Sequence, residues 1–367
     1  MRILALYTDA FGGYGGIAAS NRHFLQGLCA YSRIKEVVAL PLLQPESISS
    51  MLPACLDHRI EGIGGKATYL LALAKVLTRD RDFDIVWCGH INLVPIALAV
   101  KTLIGAPLLL NIHGVDAWTP THRRTVNWSI SHVDHVISVA EVTKSRFVEW
   151  SGFVSQRVSV LPNTIDFSGL APGKKSPELL DRHGLGDGPV LMTMGRLVGQ
   201  GRRKGFDRVL EVIPDLVDVY PDLKYLVAGK GPDRSRLEDK AYKLGVQDHV
   251  VFAGYVPESE KADYFRLADV YVMPSEGEGF GLVILEALAC GVPAIGSTSD
   301  GTSEALQYGR FGSVIDPGDS DALIAAVRDV IDTGAEVDTE AVCSYYGTAA
   351  YQERLHSLLD DFLGTQK

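Results

Sequence analysis

The segment Pro274-Ser275-Glu276-Gly277-Glu278-Gly279-Phe280-Gly281-Leu282-Val283-Ile284-Leu285-Glu286-Ala287-Leu288-Ala289-Cys290-Gly291 sets two carboxylates, Glu278 and Glu286, eight positions apart. A strand-like run ends at Met273, three glycines interrupt, and a helical pattern starts near Gly281 or Leu282 and stops at Gly291. Glycines at that entry leave backbone amides exposed at the positive end of a helix, where a diphosphate is stabilised. A carboxylate accepts from two vicinal hydroxyls at once, which suits a polyhydroxylated ligand. The plainer alternative makes Glu278 a solvated loop residue and Glu286 an acid favoured by the helix dipole.

Further candidates lie outside this stretch. Met194-Gly195-Arg196-Leu197 is followed by Arg202-Arg203-Lys204-Gly205-Phe206-Asp207. Two fixed cations can offset the negative charge of a phosphate-bearing ligand in place of a metal ion. A solvated cluster at a helix start is the structural alternative. Gly12-Gly13-Tyr14-Gly15-Gly16 joins the first strand to a helix, so the amides around Gly15 and Gly16 could approach a phosphate. Gly13-x-Gly15-x-x-Ala18 satisfies only the looser dinucleotide fingerprint. The second strand runs out through Val37 to Leu43 without the acid that nicotinamide binding needs. His113, beside Gly114 at the end of Leu108–Ile112, is either a satisfied structural histidine or a ligand contact at a strand end. Asp9 and Asp116 are lesser candidates for acceptor contact.

The composition narrows the function classes. At 367 residues the chain is expected to form two domains. A formal charge of −10 argues against nucleic-acid binding, which requires a dense basic surface. Five scattered cysteines, without close pairs or histidine partners, suggest reduced thiols and a cytoplasmic protein. Met1 leads directly into Ile3–Tyr7, so no leader is expected. The most apolar stretch, Ile91 to Ile112, is broken by Pro95, Lys101 and Pro107 and does not read as a membrane span. Peripheral membrane contact stays open.

These groups need a scaffold, and the chain supplies one by alternation. Strands are predicted at Ile3–Tyr7, Val37–Leu40, Ile85–Cys88, Leu108–Ile112, Val136–Val139 and Val158–Leu161. Helical patterns, such as Ala18–Tyr31 and Ala67–Thr78, fall between them. Phe167 to Gly188 reads as a linker with one helical turn. Alternation restarts with Val190–Met194, Lys224–Ala228, Val250–Ala253, Val270–Met273, Pro293–Ile295 and Ser313–Ile315, with helices at Phe206–Tyr220 and Arg234–Leu244. A single final helix is expected over Tyr345 to Leu363. Continuous apolar strands separated by amphipathic helices imply an α/β protein of two tandem doubly wound, Rossmann-like domains facing a central cleft.

The segment around Glu278 and Glu286 resembles the signature of the retaining glycosyltransferases of family 4, which have the glycosyltransferase B-type fold. Glu278 and Glu286 fall on the two glutamates of the family phrase. By that resemblance Glu278 would hold hydroxyls of the donor sugar and Glu286 the ribose, with Gly279 and the amides of Phe280, Gly281 and Leu282 facing the sugar and diphosphate. The family's Arg and Lys map to Arg196 and Lys204. The loop Val198 to Arg203 is longer than the family's, so which of Arg202, Arg203 and Lys204 reaches the phosphate stays open. Val227-Ala228-Gly229-Lys230-Gly231-Pro232 and Val251-Phe252-Ala253-Gly254-Tyr255-Val256 also resemble family phrases, and the second lies where such enzymes hold the base. His113 would face the donor sugar. Leu161-Pro162-Asn163-Thr164-Ile165-Asp166 resembles the phrase before the family's linker, with Thr164 where glycine is usual.

The resemblance implies an N-terminal acceptor-binding domain over 1–167, a nucleotide-sugar domain over 168–344, and a helix at 345–367 crossing back to the first. It implies a retaining, metal-independent hexosyltransferase that uses a UDP- or GDP-linked sugar, needs no further cofactor, and closes on the donor to exclude water. The likeness is strong from about 158 to 308 and resides mainly in layout over 1–157, as a shared donor and a private acceptor would produce. A nucleotide-sugar epimerase, a non-catalytic nucleotide-sugar binding protein and a nicotinamide oxidoreductase are the competing readings. The sequence names neither the acceptor nor the linkage; a glycan, a glycolipid or a small molecule would fit.

Overall fold

A computed structural model of the chain describes residues 1–13, 15–45, 48, 51–199 and 204–364. It divides into two compact units. The first comprises Met1–Ile165 together with Thr348–Lys367, and the second Asp166–Gly347.

The first unit carries β1 (Arg2–Tyr7), β2 (Glu36–Pro41), β3 (Leu56–His58), β4 (Ile85–Cys88), β5 (Leu108–Ile112), β6 (His135–Ser138) and β7 (Val158–Val160). All pair in parallel, in the order β3-β2-β1-β4-β5-β6-β7. Apolar residues bury both faces of the central strands, as parallel sheets require. Trp87 on β4 stacks on Phe24 of the helix Gly16–Ala30 at 4.8 Å and donates its indole N–H to Asn111 Oδ1 at 3.1 Å. The strand order reverses between β1 and β4, and ligands in such sheets bind beyond the carboxyl ends of the strands at that switch. Asp9 and the glycine turn follow β1 there, Gly89 follows β4, and His113 follows β5.

The second unit repeats the plan with β8 (Val190–Met194), β9 (Lys224–Ala228), β10 (Val250–Gly254), β11 (Val270–Val272), β12 (Ala294–Ser297) and β13 (Ser313–Ile315), ordered β10-β9-β8-β11-β12-β13 and all parallel. Its switch point lies between β8 and β11. Gly195-Arg196 follows β8, and the glutamate-bearing loop follows β11.

Four expectations need correction. The final helix is two, Thr339–Tyr346 and Thr348–Gly364. The chain turns so tightly between them that a Cβ on Gly347 would lie 2.4 Å from the Cys343 carbonyl. The change of unit accordingly falls after Ile165 and after Gly347 rather than at 167 and 344. The linker holds a seven-residue helix, Pro177–His183, capped by the Ser176 side chain. Cys29 and Cys55 are disulfide-bonded, with Cα atoms 5.6 Å apart. The bridge joins the end of the first helix to the residue before β3, a proximity that a sequence separation of 26 conceals. Cysteine usage therefore gives no support to a reducing compartment. Among the described residues, no helix is long and apolar enough to cross a membrane.

Candidate functional site

The second unit gathers the charged candidates at its switch point. Arg196 is exposed where β8 ends. The stem of Lys204 passes close to Gly195, and its ammonium donates to Glu278 Oε1. Burial pulls the Lys204 pKa down to about 8, with the charge of Arg196 acting in the same direction and that of Asp300 opposing. Arg202 and Arg203 lie outside the described residues; Lys204, the described member of that cluster, lies against Glu278.

Glu278 sits on a loop fixed from behind by a residue the sequence reading did not single out. Asp300, fully buried, accepts at Oδ2 from the Ser275 hydroxyl (2.7 Å) and the Glu278 amide (2.8 Å). Its Oδ1 accepts from the Thr302 amide (3.1 Å) and hydroxyl (2.7 Å). The Gly301 amide donates to the Glu278 carbonyl at 2.9 Å. A Cβ on Gly301 would lie 2.2 Å from the Gly279 carbonyl, so only glycine lets the two loops touch.

The helix Leu282–Ala289 starts from Gly281, which adopts φ +93° and leaves the first turn without a side-chain cap or an acid. The amides entering that turn are therefore available to an anion. Phe280 is buried, edge-on to Tyr346 at 5.8 Å, so only its backbone can serve a ligand. Glu286 lies along the same helix. Its Oε1 accepts from Lys261 Nζ at 2.9 Å, while its buried Oε2 has no hydrogen-bond partner among the described residues. Burial pushes its pKa up against the pull of Lys261. An acceptor held dry and unpartnered is unfavourable in a free protein and suits a ligand hydroxyl. Lys261 is a second site neighbour that sequence reasoning missed.

The glycines of the neighbouring strand ends do steric work. A Cβ on Gly229 would come within 1.8 Å of the Gly195 carbonyl, and one on Gly231 within 1.9 Å of the Leu197 carbonyl. They allow the turn after β9 to lie directly against the Arg196 turn. Gly254 adopts φ +77° with open space around it, and its carbonyl accepts from the Gly229 amide at 2.7 Å. Tyr255 is exposed, with Lys230 Nζ 4.9 Å from its ring centroid; Val256 follows, partly buried.

In the first unit, His113 is buried. Its Nε2 donates to the Gly89 carbonyl at 2.9 Å, and its Nδ1 has no partner among the described residues. Burial lowers its pKa to about 4, so it is neutral near pH 7 and Nδ1 is an acceptor. Asp116 Oδ1 accepts the His113 amide at 3.2 Å, while its Oδ2 is buried and has no partner among the described residues. Asp9 is partly buried, and a Cβ on Gly13 would collide with its carboxylate. Gly15 (φ +92°) precedes the helix Gly16–Ala30 with no side-chain cap; Tyr14 lies outside the described residues.

Comparison with known proteins agrees with this arrangement. A model described as Glycosyl transferases group 1 matches residues 176–350, and one described as Glycosyltransferase Family 4 matches 52–168. The chain is 34% identical over 277 residues to a GDP-mannose-dependent alpha-(1-6)-phosphatidylinositol monomannoside mannosyltransferase of Mycolicibacterium smegmatis, covering 70% of this chain and 69% of that protein. With the protein of the same description from Mycobacterium tuberculosis it shares 31% over 301 residues, 78% of this chain and 77% of the relative. Among solved structures, Anabaena HepE in complex with UDP and glucose superimposes with a TM-score of 0.75 at 19% identity, covering 97% and 99% of the two chains. Sucrose-phosphate synthase from Thermosynechococcus elongatus gives 0.76 at 19%, covering all of both. The two parallel sheets, the switch-point cluster and these relatives define a glycosyltransferase of the B-type fold that uses a nucleotide sugar. The chain belongs to glycosyltransferase family 4.

Proposed function

We propose that this enzyme transfers mannose from GDP-mannose to a hydroxyl of an inositol-containing membrane lipid, with retention of configuration, without a metal ion and without a further cofactor. The observation that carries the reading is the grouping of Arg196, Lys204 and Glu278 beside the uncapped helix at Gly281. The mannose C1–O bond breaks with its electron pair passing to the GDP β-phosphate. The cations and the helix amides stabilise that charge. The acceptor oxygen bonds to C1 from the same face, and its proton passes to the departing phosphate. No protein nucleophile is required. Glu278 holds sugar hydroxyls, Glu286 the ribose through its unpartnered Oε2, and His113 Nδ1 accepts from a sugar hydroxyl.

Mannose, guanosine diphosphate and the lipid acceptor are drawn from the printed activities of the two mycobacterial relatives. The chain offers its own support for a lipid-borne acceptor in the helix Lys66–Arg79. Leu70 and Leu71 are 49% and 72% exposed on its outer side, flanked by Lys66, Lys75 and Arg79, and the helix contains no acid. A basic apolar face on a chain of net charge −10 suits the surface of an anionic bilayer.

The test is incubation of the protein with GDP-mannose, or with UDP-glucose in parallel, and vesicles carrying phosphatidylinositol monomannoside. An α-linked mannolipid formed from GDP-mannose alone, undiminished by EDTA, is the expected product. Transfer from UDP-glucose only, a β-linkage, or loss of transfer with EDTA would each overturn the corresponding part.

A further inference from the structure

We infer that Asp300 is a positioning residue of this reaction: it latches the loop bearing Glu278 and supplies the fixed negative charge that keeps Lys204 cationic once the donor sugar engages Glu278. The inference rests on the donor-site reading above. In the free protein Lys204 is paired with Glu278. A donor asks the two to part, Glu278 for sugar hydroxyls and Lys204 for the diphosphate. A lysine stripped of its partner in a half-buried place tends to lose its proton, which would remove the charge the leaving group needs. Among the described residues, Asp300 is the other carboxylate whose charge reaches Lys204, and its tie to the Glu278 amide keeps it next to the loop that Lys204 contacts. It is fully buried behind the loop, and four donors from Ser275, Glu278 and Thr302 hold it in place. It also ties the loop after β12 to the loop after β11, with the Gly301 amide to the Glu278 carbonyl as a second tie.

The geometry has a pH consequence. Among the described residues, the charged groups acting on Lys204 are Glu278, with which it pairs, and Asp300 and Arg196, whose charges reach it. Burial pushes the Asp300 pKa up to about 6, against its hydrogen bonds from Ser275 and Thr302. Below that value the carboxyl is neutral and accepts less well, which slackens the latch. Lys204 loses its proton above about 8. Turnover is therefore expected to rise through the first value and fall through the second.

The experiment measures GDP release from GDP-mannose between about pH 5 and about pH 9, with GDP binding followed by calorimetry over the same range. Asp300→Asn is expected to lose the acidic limb and to move the alkaline limb to lower pH, because the charge holding the Lys204 proton is gone. Ser275→Ala removes one donor that keeps Asp300 ionised, so its acidic limb should move to higher pH while the alkaline limb stays. A purely structural role would lower rates without moving either limb, and that result overturns the inference. If Asp300→Asn does not fold, Ser275→Ala decides alone, and an unmoved acidic limb counts against the proposal. The donor-site reading fails separately: wild-type protein that neither binds GDP nor releases it from GDP-mannose would sink that reading. Normal wild-type turnover with unmoved limbs in the variants sinks only the role of Asp300.

Discussion

Lys204 and Glu278 stand 74 positions apart in the chain, yet the ammonium of one donates to the carboxylate of the other. Each is thereby held, before any donor arrives, in the place where its opposite charge would be used. Glu278→Gln should cut turnover about 10- to 100-fold, the worth of a hydrogen bond to a charged group. It also frees Lys204 from its competitor, so GDP without a sugar should bind as tightly as before or more tightly. Calorimetry with GDP, set beside initial rates, separates the two effects. Weakened GDP binding would mean Glu278 serves the diphosphate rather than the sugar.

Glu286 presents a different signature, because half of its carboxylate is already satisfied by Lys261. Glu286→Gln should raise KM for the nucleotide sugar about 10-fold or more, with kcat changed much less. Lys261 keeps a partner in Glu258 at 2.7 Å, so the fold should survive the change. A fall in kcat with KM unmoved would place Glu286 against the reacting centre instead of the ribose.

The buried neutral His113 ties stability to acid. Its folded pKa, about 4, lies below the ordinary histidine value, so the unfolded chain takes up its proton first. The stability this provides is complete above about pH 6.5 and is lost as pH falls through 4, on the order of 3 kcal/mol in all. His135, lowered to about 4 by burial and then by Arg157, adds in the same direction. Urea unfolding at neutral and acidic pH should show the loss, and His113→Asn should flatten it. Because His113 stays neutral above pH 5, turnover should carry no limb from it.

The helix Lys66–Arg79 predicts a sedimentation result. Vesicles containing anionic lipid should carry the protein down, and neutral vesicles should not. Reversing Lys66 and Lys75 to glutamate should weaken the association at least about 10-fold, since each lysine near such a surface is worth about 1 kcal/mol. Leu70→Ser with Leu71→Ser should weaken it further at high salt, where screening leaves the apolar contribution dominant. Equal binding by all variants would remove this face from consideration.

Much of this architecture could be read from the chain because the relevant signals are local. Buried parallel strands announce themselves as short apolar runs, and twelve of the thirteen strands among the described residues coincide with such runs to within about two residues. The exception, β3, has three residues and offers no pattern. Glu278 and Glu286 share one phrase with the helix that positions them. Asp300 escaped because its partners, Ser275 and the Glu278 amide, lie 25 and 22 residues earlier on another strand's loop. Lys261 escaped for the same reason, 25 residues before Glu286. Gly229 was legible as a glycine but not as a contact, since the carbonyl it makes room for belongs to Gly195 on a neighbouring strand. Pairings made by the sheet order, rather than by adjacency in the chain, are what a single sequence conceals.

Helix Thr348–Gly364 lays Tyr351, Leu355, Leu358, Leu359 and Phe362 into the same apolar cluster as Ile3, Phe24 and Trp87. The half of the molecule made first on the ribosome thus waits for its last wall until the other half has been synthesised. A nascent chain stalled before residue 348 would expose that unfinished flank, and a truncation removing only the final helix would strike the portion of the enzyme furthest from it in sequence.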